Sequence, residues 1–196
     1  MSLSRSSQER YPLYSESGRL SLRPIDDKEI SLLKNWFCNR ETCELAFGIQ
    51  APWNVLESIR SEYIEELKKD KVGVLCILED SSEQNSKPVG FVRYKLFHRG
   101  RASSARVGIV LGESKTRGRG IGKEALQTLL DYLFQERKVK KVDLDTATFN
   151  TQAQACFRSC GFVPLREVEF KGINTDWVEK RLLMRLERAG WEALRR

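Results

Sequence analysis

A chain of 196 residues, 40% hydrophobic and 31% charged, is sized and composed for one globular domain with its own core. No apolar run nears the ~20 residues that span a bilayer, and five cysteines without CxxC spacing beside one histidine, His98, leave no zinc or other metal pattern. The net charge of +7 is scattered, with clusters at Lys138, Lys140 and Lys141 and at Arg181, Arg185, Arg188, Arg195 and Arg196. Without aromatic interleaving these read as solvated faces, so neither a membrane nor a nucleic acid is an expected partner.

Residues 1–18 are rich in Ser and Arg and lack the apolar core of a secretory signal, so they are expected to be a flexible segment, mobile or loosely docked. With an odd cysteine count, this places the thiols, reduced, in the cytoplasm. Residues 19–196 read as a single domain. A first strand covers 19–23 and stops at Pro24. Asp26 or Asp27 then caps a helix carrying Ile30, Leu33, Trp36 and Phe37 at helical spacing. A second helix follows Pro52, with Leu56, Ile59, Tyr63 and Leu67 on one face.

The pattern then turns to strands. Residues 72–78 are almost continuously apolar, as in a strand buried on both faces. Residues 88–98 and 105–111 form a hairpin around the turn 99–104. A glycine-punctuated loop, 112–120, opens an amphipathic helix with Ile121, Ala125, Leu126, Leu129, Leu130, Leu133 and Phe134 in its stripe. A strand at 139–144 follows. Next comes a helix capped by Asn150 and closed by Gly161 at a left-handed position. A final hairpin over 162–170 and 177–186 and a helical tail, 187–196, complete the chain. Strands without crossovers followed by a strand–helix–strand unit predict a mixed α/β fold. The expectation is a twisted sheet of about seven strands with helices on both faces.

The chemistry concentrates in Arg117-Gly118-Arg119-Gly120-Ile121-Gly122, where loop meets helix. Alternate glycines bare the backbone N–H groups at a helix N-terminus, a site suited to a diphosphate. A P-loop is excluded, because Arg117 stands where its first glycine belongs and Glu124 follows Lys123. A dinucleotide fingerprint is approached by Gly120-x-Gly122-x-x-Ala125, with Asp143 or Asp145 on the next strand. However, the glycines begin well after Leu111, and too little chain follows for a second nucleotide-binding half.

Arg117-x-x-Gly120-x-Gly122 resembles the Arg/Gln-x-x-Gly-x-Gly/Ala signature of the GNAT acetyltransferases. The stretch from Asn150 through Ala153 and Phe157 to Gly161-Phe162 resembles that family's second block. The resemblance covers about 19–186. The Leu22-Arg23-Pro24 opening, Trp36, the Gly172-x-x-x-Asp176 hairpin and the Trp191 tail resemble its Rim-type branch, which acetylates ribosomal proteins.

The resemblance implies an acetyl-CoA-dependent N-acetyltransferase that needs no metal. Its acceptor would be a primary amine on a protein N-terminus, a polyamine, an aminoglycoside or an amino sugar. The partners implied are a small-molecule or peptide amine, with a ribosomal protein and a homodimer among the options. Backbone N–H groups from Arg119, Gly120, Ile121, Gly122 and Lys123, beside Arg117 and Gly118, would hold the pyrophosphate. The family's fourth strand splays from its fifth, so Val110 and Leu111 would bond the pantetheine arm, helped by Asn150. Asn150 reads equally as a helix cap.

Phe157 departs from the family, which often has a Tyr there to protonate the departing thiolate. Cys156 and Cys160 beside it read as buried fillers. Asp145 and Glu113 are the candidate general bases, against the plainer reading of solvated or capping carboxylates. A non-catalytic CoA-binding module and a ribosome- or RNA-associated module are the alternatives.

Overall fold

The computed structural model describes residues 11–47, 52–67, 72–79, 86–99, 102–171 and 178–195. Its framework is an eight-stranded sheet in the order β1-β2-β3-β4-β5-β6-β8-β7. In chain order the strands are β1 (Leu13–Tyr14), β2 (Leu20–Pro24), β3 (Val72–Glu79), β4 (Lys87–Arg99), β5 (Ala102–Leu111), β6 (Lys141–Ala147), β7 (Val163–Lys171) and β8 (Val178–Glu187). Every neighbouring pair is antiparallel except β5 and β6, which are parallel and joined through a helix, as the strand–helix–strand pattern requires.

Three helices, α1 (Asp27–Trp36), α2 (Arg40–Phe47) and α3 (Trp53–Leu67), lie between β2 and β3, one more than expected. The additional helix is α2. Asn39 starts it by accepting from the Thr42 N–H at 2.9 Å, and its short stripe is only Thr42, Cys43 and Phe47. Helix α1 has a full capping box: Asp26 accepts from the Glu29 N–H while Glu29 accepts from the Asp26 N–H. The remaining helices are α4 (Ile121–Asp131), continued by one π turn over Tyr132–Glu136, α5 (Thr151–Ser159) and α6 (Arg188–Ala193).

Each face of the sheet has a core. On one, Ile121, Ala125, Leu126 and Leu129 of α4, all fully buried, meet Leu22, Leu75, Val92 and Leu144 of the strands, with Phe162 and Trp191 closing the end. On the other, Leu33, Trp36 and Phe37 of α1, Phe47 of α2 and Leu56 and Ile64 of α3 cover Val74, Phe91 and Val110. Ile59, Tyr63 and Leu67 lie in α3, but their side chains fall outside the described ones.

One expectation is sharpened and another is corrected. Within 1–18, the chain from Tyr11 onward is docked: β1 pairs with β2, and the Tyr11 hydroxyl lies 3.2 Å from that of Tyr94, with the Tyr132 ring 6.0 Å away. The C-terminal arginines are not all a solvated face. Arg181 is largely buried, and Arg188 donates to the Phe134 and Val139 carbonyls at 2.6 and 2.8 Å, closing the chain that follows α4. The final hairpin forms as β7 and β8, while its tip, 172–177, lies outside the described residues.

Candidate active site

Strands β5 and β6 are paired only where Ser104, Ala105 and Arg106 face Lys141, Val142 and Asp143. Beyond that the ladder stops and the strands part, although β5 stays paired to β4 as far as Leu111 and β6 stays paired to β8 as far as Ala147. A cavity of about 590 Å³ occupies the gap, with Val107–Leu111 on one wall and Leu144–Thr146 on the other. Strand backbone lining such a gap keeps hydrogen-bonding groups that a ligand must satisfy.

The upper end of the cavity is the start of α4. Gly118 and Gly120 take φ values of 72° and 80°, left-handed conformations that side chains with a Cβ resist. Gly120 is the N-cap and contributes no side-chain bond, so the first N–H groups of α4 have no partner within the helix. A Cβ on Gly118 would meet nothing within 4 Å. The result is an open, positively polarised backbone cradle, which fits a pyrophosphate.

The side chain of Arg117 is occupied elsewhere. Its guanidinium donates to Thr42 Oγ1 at 2.9 Å and lies 2.9 Å from Glu41, while Thr42 donates to the Gly112 carbonyl. It thus ties the loop to α2.

The cavity brings together Val110, Leu111, Arg117, Gly118, Gly120, Gly122, Lys123, Asn150 and Phe157, with Asp145 on the β6 wall. Ile121 is fully buried in the core, so its side chain is turned from the site. Arg119 is drawn away into a two-pronged ion pair with Glu79 at 2.6 and 3.1 Å. Asn150 caps α5 by accepting from the Ala153 N–H at 3.1 Å, and it also lines the cavity. Phe157 meets Phe162 edge-on at 6.2 Å.

The two candidate bases separate. Glu113 is outside the cavity wall, and hydrogen bonding from Lys115, 2.6 Å away, holds its pKa below the usual carboxylate range. Asp145 is on the wall, with Oδ1 3.1 Å from Arg106 and Oδ2 2.6 Å from Arg181. Arg181 also donates to the Phe47 carbonyl at 2.5 Å, which anchors α2 over the gap. Burial lowers the Arg181 pKa, and the charge of Asp145 opposes that shift.

Cys156, expected to be a buried filler, is half-buried on the cavity wall. A hydrogen bond from Cys160 lowers its pKa, with Lys123 adding to the effect. Cys160 and Cys76 are buried as expected, and His98 is exposed.

A family model described as "Acetyltransferase (GNAT) domain" matches residues 19–163. The chain belongs to the GNAT acetyltransferases. No curated protein sequence matches it. Among solved structures, the spermidine N-acetyltransferase of Vibrio cholerae in complex with CoA and spermine has a TM-score of 0.68 at 17% identity, covering 89% of this chain and 98% of that one. The aminoglycoside acetyltransferase AAC(6')-Ib with ribostamycin and CoA has a TM-score of 0.70 at 19% identity, covering 91% and 98%. A GNAT acetyltransferase from Bacillus anthracis gives 0.67 at 15%, covering 91% and 99%. These likenesses are of fold.

A GNAT enzyme takes its acetyl group from acetyl-CoA, and the cradle and gap suit that cosubstrate: one end offers backbone donors to phosphate, the other an unpaired strand edge. Arg93, Lys95, Arg106 and Arg181 also line the cavity and were missed as site residues. The signal for the first three was present. Alternation along a strand places Arg93 and Lys95 on one face, and the hairpin sets Arg106 opposite Lys95. Among the described residues no helix is long and apolar enough to cross a membrane.

Proposed function

We propose that this GNAT acetyltransferase is an N-acetyltransferase that moves the acetyl group of acetyl-CoA directly to a primary amine, both substrates being bound at once. The observation that carries the reading is the uncapped, glycine-rich start of α4 opening onto the gap between β5 and β6. The N–H groups of Arg119 to Lys123 hold the pyrophosphate. Val110 and Leu111 bond the pantetheine arm through their backbone, and Asn150 and Phe157 close over it. Acetyl-CoA supplies an activated thioester, and no covalent acyl-enzyme is needed.

Asp145, the one carboxylate on the wall among the described residues, is the group that takes the proton from the attacking nitrogen, with Arg106 and Arg181 fixing its oxygens. The thiolate leaves without a tyrosine and is protonated by water, because Phe157 cannot donate.

A Rim-type placement is supported by Arg23, whose guanidinium clamps Glu29 at 2.5 and 2.9 Å, and by Trp36, which packs against Gly112 at the end of β5. Site of action in the cytoplasm goes with the five free thiols.

The test is a thermal-shift titration with acetyl-CoA, CoA, ATP and NAD, since a ligand that binds only the native state raises its melting temperature. Shifts with the two CoA compounds alone, lost in Gly120→Glu, are expected. A shift with NAD, or none with CoA, would remove the proposal. Phe157 gives a specific reason to retain one rival, a CoA-binding module without turnover, which any acetylated amine product eliminates.

A further inference from the structure

Among the described residues that line the cavity, Cys156 is the one thiol. Cys43, Cys76 and Cys160 are buried, and burial pushes the Cys43 thiol up to about 11 and raises that of Cys76 as well. Cys38 is exposed but lies outside the cavity wall. The Cys156 Sγ is 3.9 Å from where a Cβ on Gly122 would sit. Gly122 belongs to the first turn of α4, so the sulfur abuts the same uncapped helix start that forms the phosphate cradle. That end of a helix carries positive potential, and a thiolate gains from it as a phosphate does.

Cys160 is buried one turn further along, where its N–H closes the helical turn on the Cys156 carbonyl at 3.2 Å. Its S–H has two acceptors within reach, the Lys123 carbonyl at 3.8 Å and the Cys156 sulfur. The bond to Cys156 lowers the pKa of that thiol; burial opposes the shift and the charge of Lys123 assists it. The two sulfurs can share a proton but cannot join while the turn holds. Cβ atoms four residues apart on a helix are about 5–6 Å from each other, and a disulfide needs roughly 3.5–4.5 Å. A partner for Cys156 must therefore come from the cavity side.

We infer that Cys156 is a site of reversible modification by low-molecular-weight disulfides, and that the resulting mixed disulfide and acetyl-CoA exclude each other. This rests on the acetyl-CoA reading of the cradle and adds a control to it. The Cys156 thiolate attacks one sulfur of the incoming disulfide, and the new sulfur–sulfur bond forms as the old one breaks. The released half departs as a thiolate and takes a proton from water. Cys156 is oxidised, the departing half is reduced, and no further oxidant is required. Excess small thiol runs the exchange backward. The attached group fills the space beside Gly122 that a pyrophosphate needs. A bound pyrophosphate in turn covers the sulfur and occupies the field that favours its thiolate.

The experiment treats the full chain with glutathione disulfide, with and without acetyl-CoA, and follows each cysteine by peptide mass spectrometry. Cys156 should be modified faster than Cys38, although Cys38 is the exposed thiol. Saturating acetyl-CoA should slow the reaction at Cys156 by roughly tenfold or more, because only the ligand-free fraction reacts, and should leave Cys38 unchanged. The modified protein should lose its acetyl-CoA thermal shift, and dithiothreitol should restore it. In Cys156→Ser the shift should survive the same treatment. If that variant binds too weakly to be read, protection of the wild type decides. Three results overturn the inference: modification confined to Cys38, a Cys156–Cys160 disulfide in place of the mixed one, or a Cys156 adduct that neither is slowed by acetyl-CoA nor abolishes its shift. An untreated wild type with no acetyl-CoA shift would instead remove the acetyl-CoA reading itself.

Discussion

Gly122→Ala should raise stability and leave cofactor affinity unchanged. Gly122 sits in the first turn of α4, and a Cβ there would lie 3.7 Å from Leu111, 3.8 Å from Ile109 and 3.9 Å from Cys156, ordinary contacts that require no movement. Replacing a helical glycine by alanine is worth about 0.5–1 kcal/mol, and in a domain of this size that raises the melting temperature by roughly 1–4 °C. The signature that the loop matches admits glycine or alanine at this position, so the methyl should leave the phosphate its backbone donors. A tenfold loss in acetyl-CoA affinity would remove about 1.4 kcal/mol of ligand stabilisation at fixed concentration, enough to be seen against the gain. The variant should therefore melt higher than wild type both alone and in acetyl-CoA. Melts with and without ligand, with calorimetric titration, decide it. Diminished affinity would refute the assignment of the left-handed Gly118 and Gly120, rather than Gly122, as the glycines the cradle needs, and a lower melt without ligand would mean that the methyl meets something unaccounted for.

Asp145→Asn leaves the largely buried Arg181 without its counter-charge and should cost on the order of 2 kcal/mol by denaturant unfolding. Adding Arg181→Met should return part of that loss, and purely additive losses would refute the coupling. Phe157→Tyr restores a proton donor beside the cavity and should keep or raise kcat, so a folded variant with lost turnover would contradict the thiolate account. For Glu124, burial pushes the carboxyl upward but hydrogen bonds from Ser17, Ser15 and Arg19 outweigh it, so its pKa falls below normal. A depressed carboxyl stabilises the fold above its unfolded pKa of about 4.3, and that contribution is lost as pH falls further, through the folded value. Acid titration of stability should accordingly show a shallower loss below pH ~4 in Glu124→Gln, and identical profiles would count against the Ser17–Arg19 clamp.

Periodicity made most of this fold legible. The stripe of α4, the continuous run of β3 and the hairpin of β4 and β5 were readable because each buries a face with its own period. Helix α2 escaped because its eight residues bury only three, too few to repeat a pattern. Strand β1 escaped because its two residues are held by Tyr11 meeting Tyr94 and Tyr132, partners more than 80 residues away. The phosphate cradle was visible in the sequence because its glycines act locally. The end of the cavity where β5 and β6 meet was legible only in pieces, Asp145 as a carboxylate and Arg93 and Arg106 as facing positions of a hairpin, because these and Arg181 converge from four strands. Arg181 in particular looked like one of many surface arginines until β8 was set beside β6.

The parting of β5 from β6 also has a mechanical meaning. Strands β1 to β5 form one continuous blanket and β6 to β8 another, and only three register pairs stitch them across the middle. A sheet with its central seam open is compliant there, and the remaining load passes through α4 and the chain on either side of it. A guest whose backbone-like arm lies in the seam completes the cloth. Its affinity and the stiffness of the whole molecule are then the same set of bonds counted from two sides.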